Sequence, residues 1–324
     1  MKTNLQVDVP PSSEAIFLNT AEEPITEKNA VSLAARYIST ISPCPSHFTG
    51  RGIVICGGGK TYFTNAWVCI NMLRYVGCDL PIELWHLGAN ELDARMAEWV
   101  KPLGVRCVDA LEVRKRHPFR NLAGWESKPF AIIHSAFKEV LLLDADNMPT
   151  NDPTYLFDTA PYQQTGAILW PDFEEYVFPT RTFRVFGTKR RYEVQVESGQ
   201  ILVDKNKCWK PLNLCMWYNG NSHFFYQYIY GDKDTFQLAW RKLDVEYAMP
   251  KTYPSRVGKK AMYQHDFEGR KIFQHRNFDK WNLHKPHDLL PSFDHEEKCV
   301  NFLDDLRSKW DGQILNQLDA REKE

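Results

Sequence analysis

Two aspartates, Asp144 and Asp146, are separated by one small residue in the stretch EVLLLDADNMP. Four apolar residues precede them, which is typical of a strand buried on both faces. Side chains alternate along a strand, so acids two positions apart can point the same way where the strand runs out into a loop. At the carboxyl end of a parallel strand, two carboxylates would offer Mn²⁺ or Mg²⁺ a site made of hard oxygen ligands. The alternative interpretation is a pair of solvated loop acids.

A glycine-rich turn in VICGGGKTYF, residues 54–63, is the second stretch that could bind phosphate. The phosphate-binding loop of ATPases and kinases needs a glycine where this chain has Val54, and a β-branched residue resists that sharp turn. In such proteins a second motif, an apolar strand that ends in a magnesium-binding aspartate, accompanies the loop. VLLLDAD resembles that motif, although its second acid follows Asp144 by two residues rather than directly. A P-loop ATPase or kinase stays as the alternative from another class. Otherwise the turn exposes N–H groups at a helix N-terminus, which suit a diphosphate or a ribose.

Alternating strands and helices must position these stretches. The strand patterns are GIVICGGG, PIELWHLG, VRCVDA and EVLLLDAD, and the helical patterns between them are TNAWVCINMLRYVG, ELDARMAEWVKPLG and KPFAIIHSAF. Such alternation predicts an α/β fold with a Rossmann-like, mostly parallel central sheet flanked by helices. After Asp146 the segments are shorter, with strand patterns at GAILWPDF and QILVDK.

Composition excludes several functional classes. Among 324 residues, 43% are hydrophobic and the net charge is −1, so no global field favours nucleic acid. The eight cysteines form no CxxC pair, which argues against a zinc ribbon and is typical of reduced core residues in an intracellular protein. The N-terminal residues lack an apolar signal region, and no run approaches about 18 apolar residues. We therefore expect no transmembrane segment and a cytoplasmic protein, soluble or at most peripheral to a membrane. The oligomeric state is not predicted.

The stretch GWESKPFAIIHSAFKEVLLLDADNMPTNDPTYLFD resembles the donor-site segment of the fungal Golgi α-mannosyltransferases, which have the glycosyltransferase-A fold. More distantly it resembles the retaining group of glycogenin and the galactosyltransferases. The segments GAILWPDF, VESGQILVDKNK and YGDKDTF also match the family pattern, so the similarity covers roughly residues 52–280. The fungal enzymes are anchored in a membrane, whereas no anchor is recognised in this sequence.

The resemblance implies a metal-dependent, retaining glycosyltransferase. It would move a hexose, with mannose favoured, from a nucleotide diphosphate sugar to a hydroxyl of a glycan, polysaccharide or glycolipid. GDP-mannose is the favoured donor, and galactosyl or glucosyl transfer from a UDP-hexose is the alternative. A third interpretation is a protein that binds sugar nucleotides without transferring the sugar. The expected organisation is an N-terminal helical extension (1–48), one catalytic domain (49–300) and a C-terminal helical tail (301–324).

The family also implies which residues bind the donor. In it the Asp-x-Asp acids hold Mn²⁺ or Mg²⁺ against the donor diphosphate, and a late histidine is the third ligand. His275 in KIFQHRNF matches that position better than His265. The expected metal ligands are thus Asp144, Asp146 and His275. The expected donor-binding residues are Gly57, Gly58, Gly59, Lys60, Tyr62, Lys128, Asp144, Ala145, Asp146 and Asp232.

Four further residues are expected to act at the reacting sugar: Asp172, Glu197, Gln200 and Asp234. Asp172 could bind sugar hydroxyls, and Gln200 could face the anomeric carbon. A front-face reaction needs no protein nucleophile, whereas a double displacement would need a carboxylate, for which Glu197 and Asp234 are the candidates. Because Asp232 and Asp234 open a helix, simple helix capping is the alternative for both.

Overall fold

The structure is a computed structural model, and it describes residues 23–120, 122–176, 178–285, 289–290 and 292–310, with only the backbone of 174–176. The elements of the first half are α1 (Ala30–Thr40), β1 (Thr49–Cys56), α2 (Gly59–Tyr75), β2 (Ile82–His86), α3 (Ala94–Val100), β3 (Val105–Asp109), α4 (Ala110–Arg116), α5 (Ser127–His134), β4 (Phe137–Asp144) and β5 (Asn147–Pro149). Those of the second half are α6 (Ala160–Thr165), β6 (Ala167–Tyr176), α7 (Thr180–Phe186), β7 (Glu193–Asp204), α8 (Lys205–Gly220), α9 (Ser222–Phe225), α10 (Asp232–Lys242), β8 (Ser255–Val257), β9 (Ala261–His265), β10 (Lys271–His275) and α11 (Glu296–Lys309). Short 3₁₀ helices lie at Lys101–Leu103, Gly124–Glu126 and Pro153–Asp158.

Six strands form the central sheet in the order β3-β2-β1-β4-β7-β6. The pairs β3–β2, β2–β1 and β1–β4 are parallel, and β7 runs antiparallel to both of its neighbours. Parallel strands need long crossover connections, and α2, α3 and α5 lie in those connections. The predicted α/β class with a mostly parallel sheet is confirmed.

Apolar residues of the central strands alternate between two hydrophobic cores, one on each face of the sheet. In β4, Leu141 and Leu143 belong to the core that includes α2 and α11. Val140 and Leu142 belong to the core built with α5, α8 and α10. Because both faces are covered, residues 140–143 of β4 form a continuous apolar run between Glu139 and Asp144.

A second sheet begins where β4 ends. Asp144 is the last residue of β4, and β5 starts three residues later at Asn147. This smaller sheet is antiparallel with the order β5-β10-β9-β8. The Asp-Ala-Asp segment therefore connects the two sheets, and we call this junction, residues 144–147 with the adjoining ends of β7 and β10, the seam.

The expected domain division stays a prediction. In the expected extension, α1 packs into a hydrophobic core through Ala30, Leu33 and Ala34, while residues 1–22 lie outside the described residues. The expected boundary between residues 300 and 301 falls inside α11, whose Leu303 and Leu306 are fully buried. Residues 311–324 of the expected tail also lie outside the described part.

Candidate active site

The two aspartates of the seam occupy different environments. Asp144 lies at the end of β4 beside Cys56 at the end of β1, and its side chain is 20% exposed. Asp146 is only 2% exposed and follows in the turn toward β5. Parallel strands β1 and β4 end at the same edge of the sheet, so Asp144 lies next to the glycine turn that follows β1.

His275 joins both aspartates from the last strand of the small sheet. It pairs in register with Asn147, just beyond the Asp-Ala-Asp segment. Its Nε2 atom lies 3.1 Å from Asp146 Oδ1 and 3.9 Å from Asp144 Oδ2. One ligand atom from each of the three residues lies within 4.8 Å of the others. Two carboxylate oxygens and one imidazole nitrogen are a donor set that suits a divalent cation such as Mn²⁺.

Two lysines balance the charge of these acids. Lys128 Nζ lies 2.8 Å from Asp144 Oδ1 and 3.4 Å from Asp232 Oδ2, and Lys280 forms an ion pair with Asp146. Burial opposes ionisation of Asp146, but His275 and Lys280 outweigh it and hold the pKa of Asp146 well below its usual range. The seam thus already attracts cations to its oxygens.

The pKa of Asp144 shifts the other way. Burial raises the pKa of Asp144, and the attraction of Lys128 and His275 does not fully offset it. Burial would also lower the pKa of Lys128, but Asp144 and Asp232 outweigh it and raise that pKa, so the ammonium group stays charged. Burial works against the charged form of His275 as well, and Asp146 raises the pKa of His275 despite it.

Glu197 lies on the opposite side of the imidazole ring. Its Oε1 atom is 3.7 Å from His275 Nδ1 and accepts a hydrogen bond of 3.0 Å from the backbone N–H of Gly199. The ring packs so closely on Gly199 that a Cβ atom there would lie 2.7 Å from Nδ1. Burial raises the pKa of Glu197. The glycine therefore permits the close approach of β10 to β7 at the seam.

Gln200 supports the seam from within the protein. It is fully buried, and its Oε1 accepts a hydrogen bond of 2.7 Å from Asn147 Nδ2, which also donates to the Gly199 carbonyl at 2.8 Å. In this arrangement Gln200 contacts the start of β5, and it does not line the cleft described next.

A cleft runs from the seam across the ends of β1 and β2. Of the predicted donor-binding residues, its lining includes Gly57, Gly58, Tyr62, Lys128, Asp144, Ala145 and Asp146. Lys280 also lines the cleft at the seam, and the half-exposed Trp125 lies at its rim. His86 and Glu91 line the end of the cleft near β2. Gly59 and Lys60, the first two residues of α2, do not line the cleft.

The remaining predicted residues gather at the N-terminus of α10. Asp232 accepts a hydrogen bond of 2.8 Å from Ser198 Oγ and thereby joins Lys128 and the seam. Asp172 forms an ion pair with Lys233, and Asp234 Oδ2 accepts a hydrogen bond of 2.8 Å from Tyr230 N. Burial raises the pKa of Asp234 to about 6. We call Asp172, Lys233 and Asp234 the α10 group.

Several site residues were missed from the sequence: Asn147, Ser198, Lys233, Lys280 and Trp125. Lys280 had a detectable signal, because it lies five residues after His275 in KIFQHRNFDKWN and cations near a metal ligand suit a diphosphate. Asn147 and Ser198 had none, since their side-chain hydrogen bonds join residues 34 or more positions apart.

The fold and the acid–histidine cluster define an α/β protein with a candidate cation site where the parallel strands end. Residues 50–191 and 183–276 match the family described as "Mannosyltransferase putative", and the chain belongs to this family. The resemblance to the fungal α-mannosyltransferases and the glycosyltransferase-A fold expected from it are confirmed. Membership of this family gives no support to the P-loop alternative.

The curated relatives agree with the family. The chain is 26% identical to the Saccharomyces cerevisiae protein "Alpha-1,2-mannosyltransferase MNN2", over 74% of this chain and 47% of that protein. It is 30% identical to "Alpha-1,2-mannosyltransferase MNN24" of Candida albicans, over 61% of this chain and 34% of that protein. The chain therefore spans at most about half the length of these relatives.

Similar solved structures include galactosyltransferase LgtC, with a TM-score of 0.43 and 16% identity over 60% of this chain and 73% of that one. The glycosyltransferase GlyE of Streptococcus pneumoniae has a TM-score of 0.41 and 17% identity over 62% of this chain and 46% of that one.

The predicted cytoplasmic location is wrong. The curated relatives are fungal α-1,2-mannosyltransferases, the group of Golgi enzymes that this sequence resembles, so the family points to the Golgi. The prediction relied on the lack of apolar segments in the given sequence, and such a lack does not decide where a protein acts. Within the described residues, no helix has the length and apolar character that crossing a membrane requires.

Proposed function

We propose that this chain transfers mannose from GDP-mannose to a carbohydrate hydroxyl, with retention of anomeric configuration and with Mn²⁺ or Mg²⁺ as cofactor. The observation that carries the proposal is the convergence of Asp144, Asp146 and His275 at one end of a cleft that a glycine turn and an aromatic side chain also line. The curated relatives are α-1,2-mannosyltransferases, which supports mannose as the transferred sugar and a 2-hydroxyl of the acceptor sugar as the point of attachment.

The seam residues fit a divalent cation, because two carboxylates and an imidazole already surround one point and attract Lys280 there. Bound to Asp144, Asp146 and His275, the metal would act as a Lewis acid on the departing diphosphate. Asp146 stays ionised at neutral pH because His275 and Lys280 lower its pKa against the effect of burial. Lys128 and Lys280 add two positive charges beside the expected diphosphate position, so they would neutralise developing negative charge.

The glycine turn would approach the nucleotide from the other side of the cleft. Gly57 and Gly58 line it with backbone, while Tyr62 and Trp125 are each 50% exposed and could stack on a base or ribose. In a front-face reaction the acceptor hydroxyl loses its proton to the leaving phosphate oxygen. The protein would then contribute mainly by orientation and electrostatic stabilisation. We assign sugar hydroxyls to Asp172 and Asp234, whose group lies beside Asp232.

The test is transfer by the purified chain from GDP-mannose, UDP-glucose and UDP-galactose to methyl α-mannoside, with Mn²⁺ or with EDTA. We expect a mannosylated product from GDP-mannose alone, which disappears with EDTA and whose linkage and anomeric configuration NMR would report. Preferential use of a UDP-hexose, or undiminished transfer in EDTA, would contradict the proposal. Hydrolysis of ATP that Lys60→Ala abolishes would instead support the P-loop alternative.

Donor binding without transfer is a separate outcome. A rise in thermal midpoint with GDP-mannose and Mn²⁺, together with no product from methyl α-mannoside or from α-1,6-mannobiose, would favour a sugar-nucleotide-binding protein. A ligand that binds only the folded state raises this midpoint by mass action, so binding and turnover can be read independently.

A further inference from the structure

The two nitrogen atoms of His275 face different acids. Nε2 points to the two aspartates, at 3.1 Å from Asp146 Oδ1, whereas Nδ1 lies 3.7 Å from Glu197 Oε1. A neutral imidazole carries one proton, so a histidine that ligates a metal through Nε2 must hold its proton on Nδ1. Among the described residues, Nδ1 is buried and has no hydrogen-bond partner within bonding distance. Metal binding would therefore leave a buried N–H that needs an acceptor.

Among the described residues, Glu197 is the one whose carboxylate lies within ion-pair distance of this atom. Its Oε1 is oriented by the Gly199 N–H at 3.0 Å, and the Gly199 carbonyl is in turn bound by Asn147 Nδ2 at 2.8 Å. The same glycine allows the imidazole to pack against the backbone of β7. A shift that brings Oε1 and Nδ1 to roughly 3 Å would complete the hydrogen bond.

We propose that Glu197 is a positioning residue for His275: it accepts the Nδ1–H and so fixes the tautomer and ring orientation in which Nε2 faces Asp144 and Asp146. This inference rests on the proposed metal-dependent function. It gives Glu197 a different role from a nucleophile beneath the anomeric carbon. Glu197 does not line the cleft that contains Asp144 and Lys128, which agrees with a supporting position behind the histidine.

The binding test uses the whole chain and measures the Mn²⁺ dissociation constant from the electron paramagnetic resonance signal of free Mn²⁺. We expect Glu197→Ala to weaken Mn²⁺ binding by about 10–100-fold, as is usual when the partner of a ligating histidine is lost. Glu197→Gln should stay within about 3-fold of wild type, because the amide oxygen can still accept the Nδ1–H and the Gly199 N–H.

Asp172→Asn is the matched control. It also removes one carboxylate charge near Glu197, but Asp172 pairs with Lys233 and makes no ion pair with His275. We expect its Mn²⁺ affinity to stay within about 3-fold of wild type, since the remaining effect is a screened charge interaction. Equal weakening in Asp172→Asn and Glu197→Ala would overturn the inference, because general electrostatics would then explain both.

Turnover and NMR separate positioning from nucleophilic attack. A positioning role predicts that Glu197→Gln keeps most of its mannosyl transfer at saturating Mn²⁺, whereas a nucleophile predicts an inactive Gln variant with unchanged Mn²⁺ affinity. With Mg²⁺, the ¹⁵N shifts of His275 should report a protonated Nδ1 in wild type and a mixture of tautomers in Glu197→Ala. If Glu197→Ala fails to fold, Glu197→Asp replaces it, and the shorter carboxylate should give the same direction of change.

Failure of the inference differs from failure of the proposed function. Wild-type chain that binds Mn²⁺ together with an Ala variant that binds it equally well would remove Glu197 from this role and leave the metal site standing. Wild-type chain that binds no Mn²⁺, with or without GDP, would remove both.

Discussion

The seam and the α10 group both contain buried acids, but the acids are held for different reasons. In the α10 group, Asp234 accepts from a backbone N–H only four residues away, and Asp172 has one lysine as its ion-pair partner. In the seam, Asp146 contacts His275, which lies 129 positions away in the sequence, and forms an ion pair with Lys280. A hydrogen bond within one short segment accounts for Asp234 in the first region, although the Asp172–Lys233 pair joins residues 61 positions apart. Nothing local accounts for the second, which is why we place the chemistry there.

Neutralising the seam acids is the most direct test of whether the chemistry takes place at the seam. Asp144→Asn and Asp146→Asn should each lower mannosyl transfer by more than about 1,000-fold, because each removes a charged metal ligand. Asp232→Asn, which removes a carboxylate that bridges Ser198 and Lys128, should lower transfer less. The measurement is initial rate with GDP-mannose at saturating Mn²⁺, and near-normal rates in the Asp146 variant would exclude the seam as the site.

Replacing a lysine that pairs with a seam acid should lower the free energy of unfolding. Lys128 is 8% exposed and pairs with Asp144 and Asp232, so Lys128→Met should cost about 3 kcal/mol of unfolding free energy in EDTA. Lys280 has a side chain that is 31% exposed, and Lys280→Met should cost less than about 1 kcal/mol. Urea unfolding of both variants provides the comparison. A larger loss from Lys280→Met would mean that the more exposed lysine is the structural one.

Two buried histidines in neighbouring strands of the small sheet give a matched pair. His275 lies within reach of both seam aspartates. His265 in β9 does not belong to that group. We expect His275→Gln to weaken Mn²⁺ binding by about 10–100-fold and His265→Gln to leave it unchanged. Titration of Mn²⁺ with each variant tests this, and similar losses in both would indicate damage to the small sheet rather than loss of a ligand.

The effect expected from the α10 group depends on pH. Burial raises the pKa of Asp234 to about 6 from an ordinary value of 3.8, so the folded protein binds this proton more tightly than the unfolded chain. The resulting stabilisation is complete below about pH 4 and is lost as pH rises through 6, on the order of 3 kcal/mol.

Asp234→Asn should remove this pH dependence. In chemical unfolding without metal, we expect the free-energy difference between wild type and Asp234→Asn to change between pH 4 and 7, with wild type losing relative stability. Asp244→Asn, at a side chain that is 92% exposed, is the control and should follow wild type at every pH. Parallel curves for wild type and Asp234→Asn would show that Asp234 titrates as in the unfolded chain.

Much of the fold could be predicted from the sequence because the patterns that indicate it are local. The run of apolar residues 140–143 predicts a doubly covered strand, and β4 has that environment. The glycines after β1 predict a turn beside the site, and Gly57 and Gly58 line the cleft. Gln200 was expected at the anomeric carbon but is fully buried against Asn147, because the antiparallel pairing of β7 with β4 directs its side chain inward.

The sequence by itself determined the alternating strands and helices and the chemistry of the Asp-Ala-Asp segment, since strand periodicity and ligand type are properties of neighbouring residues. Only the tertiary structure decided that His275 lies within reach of those acids, which lysines balance them and where Glu197 lies. Those contacts join β4, β7 and β10 through the pairing of two sheets. The strands of the small sheet have only three to five residues. A hydrophobic pattern that short does not predict how the strands pair.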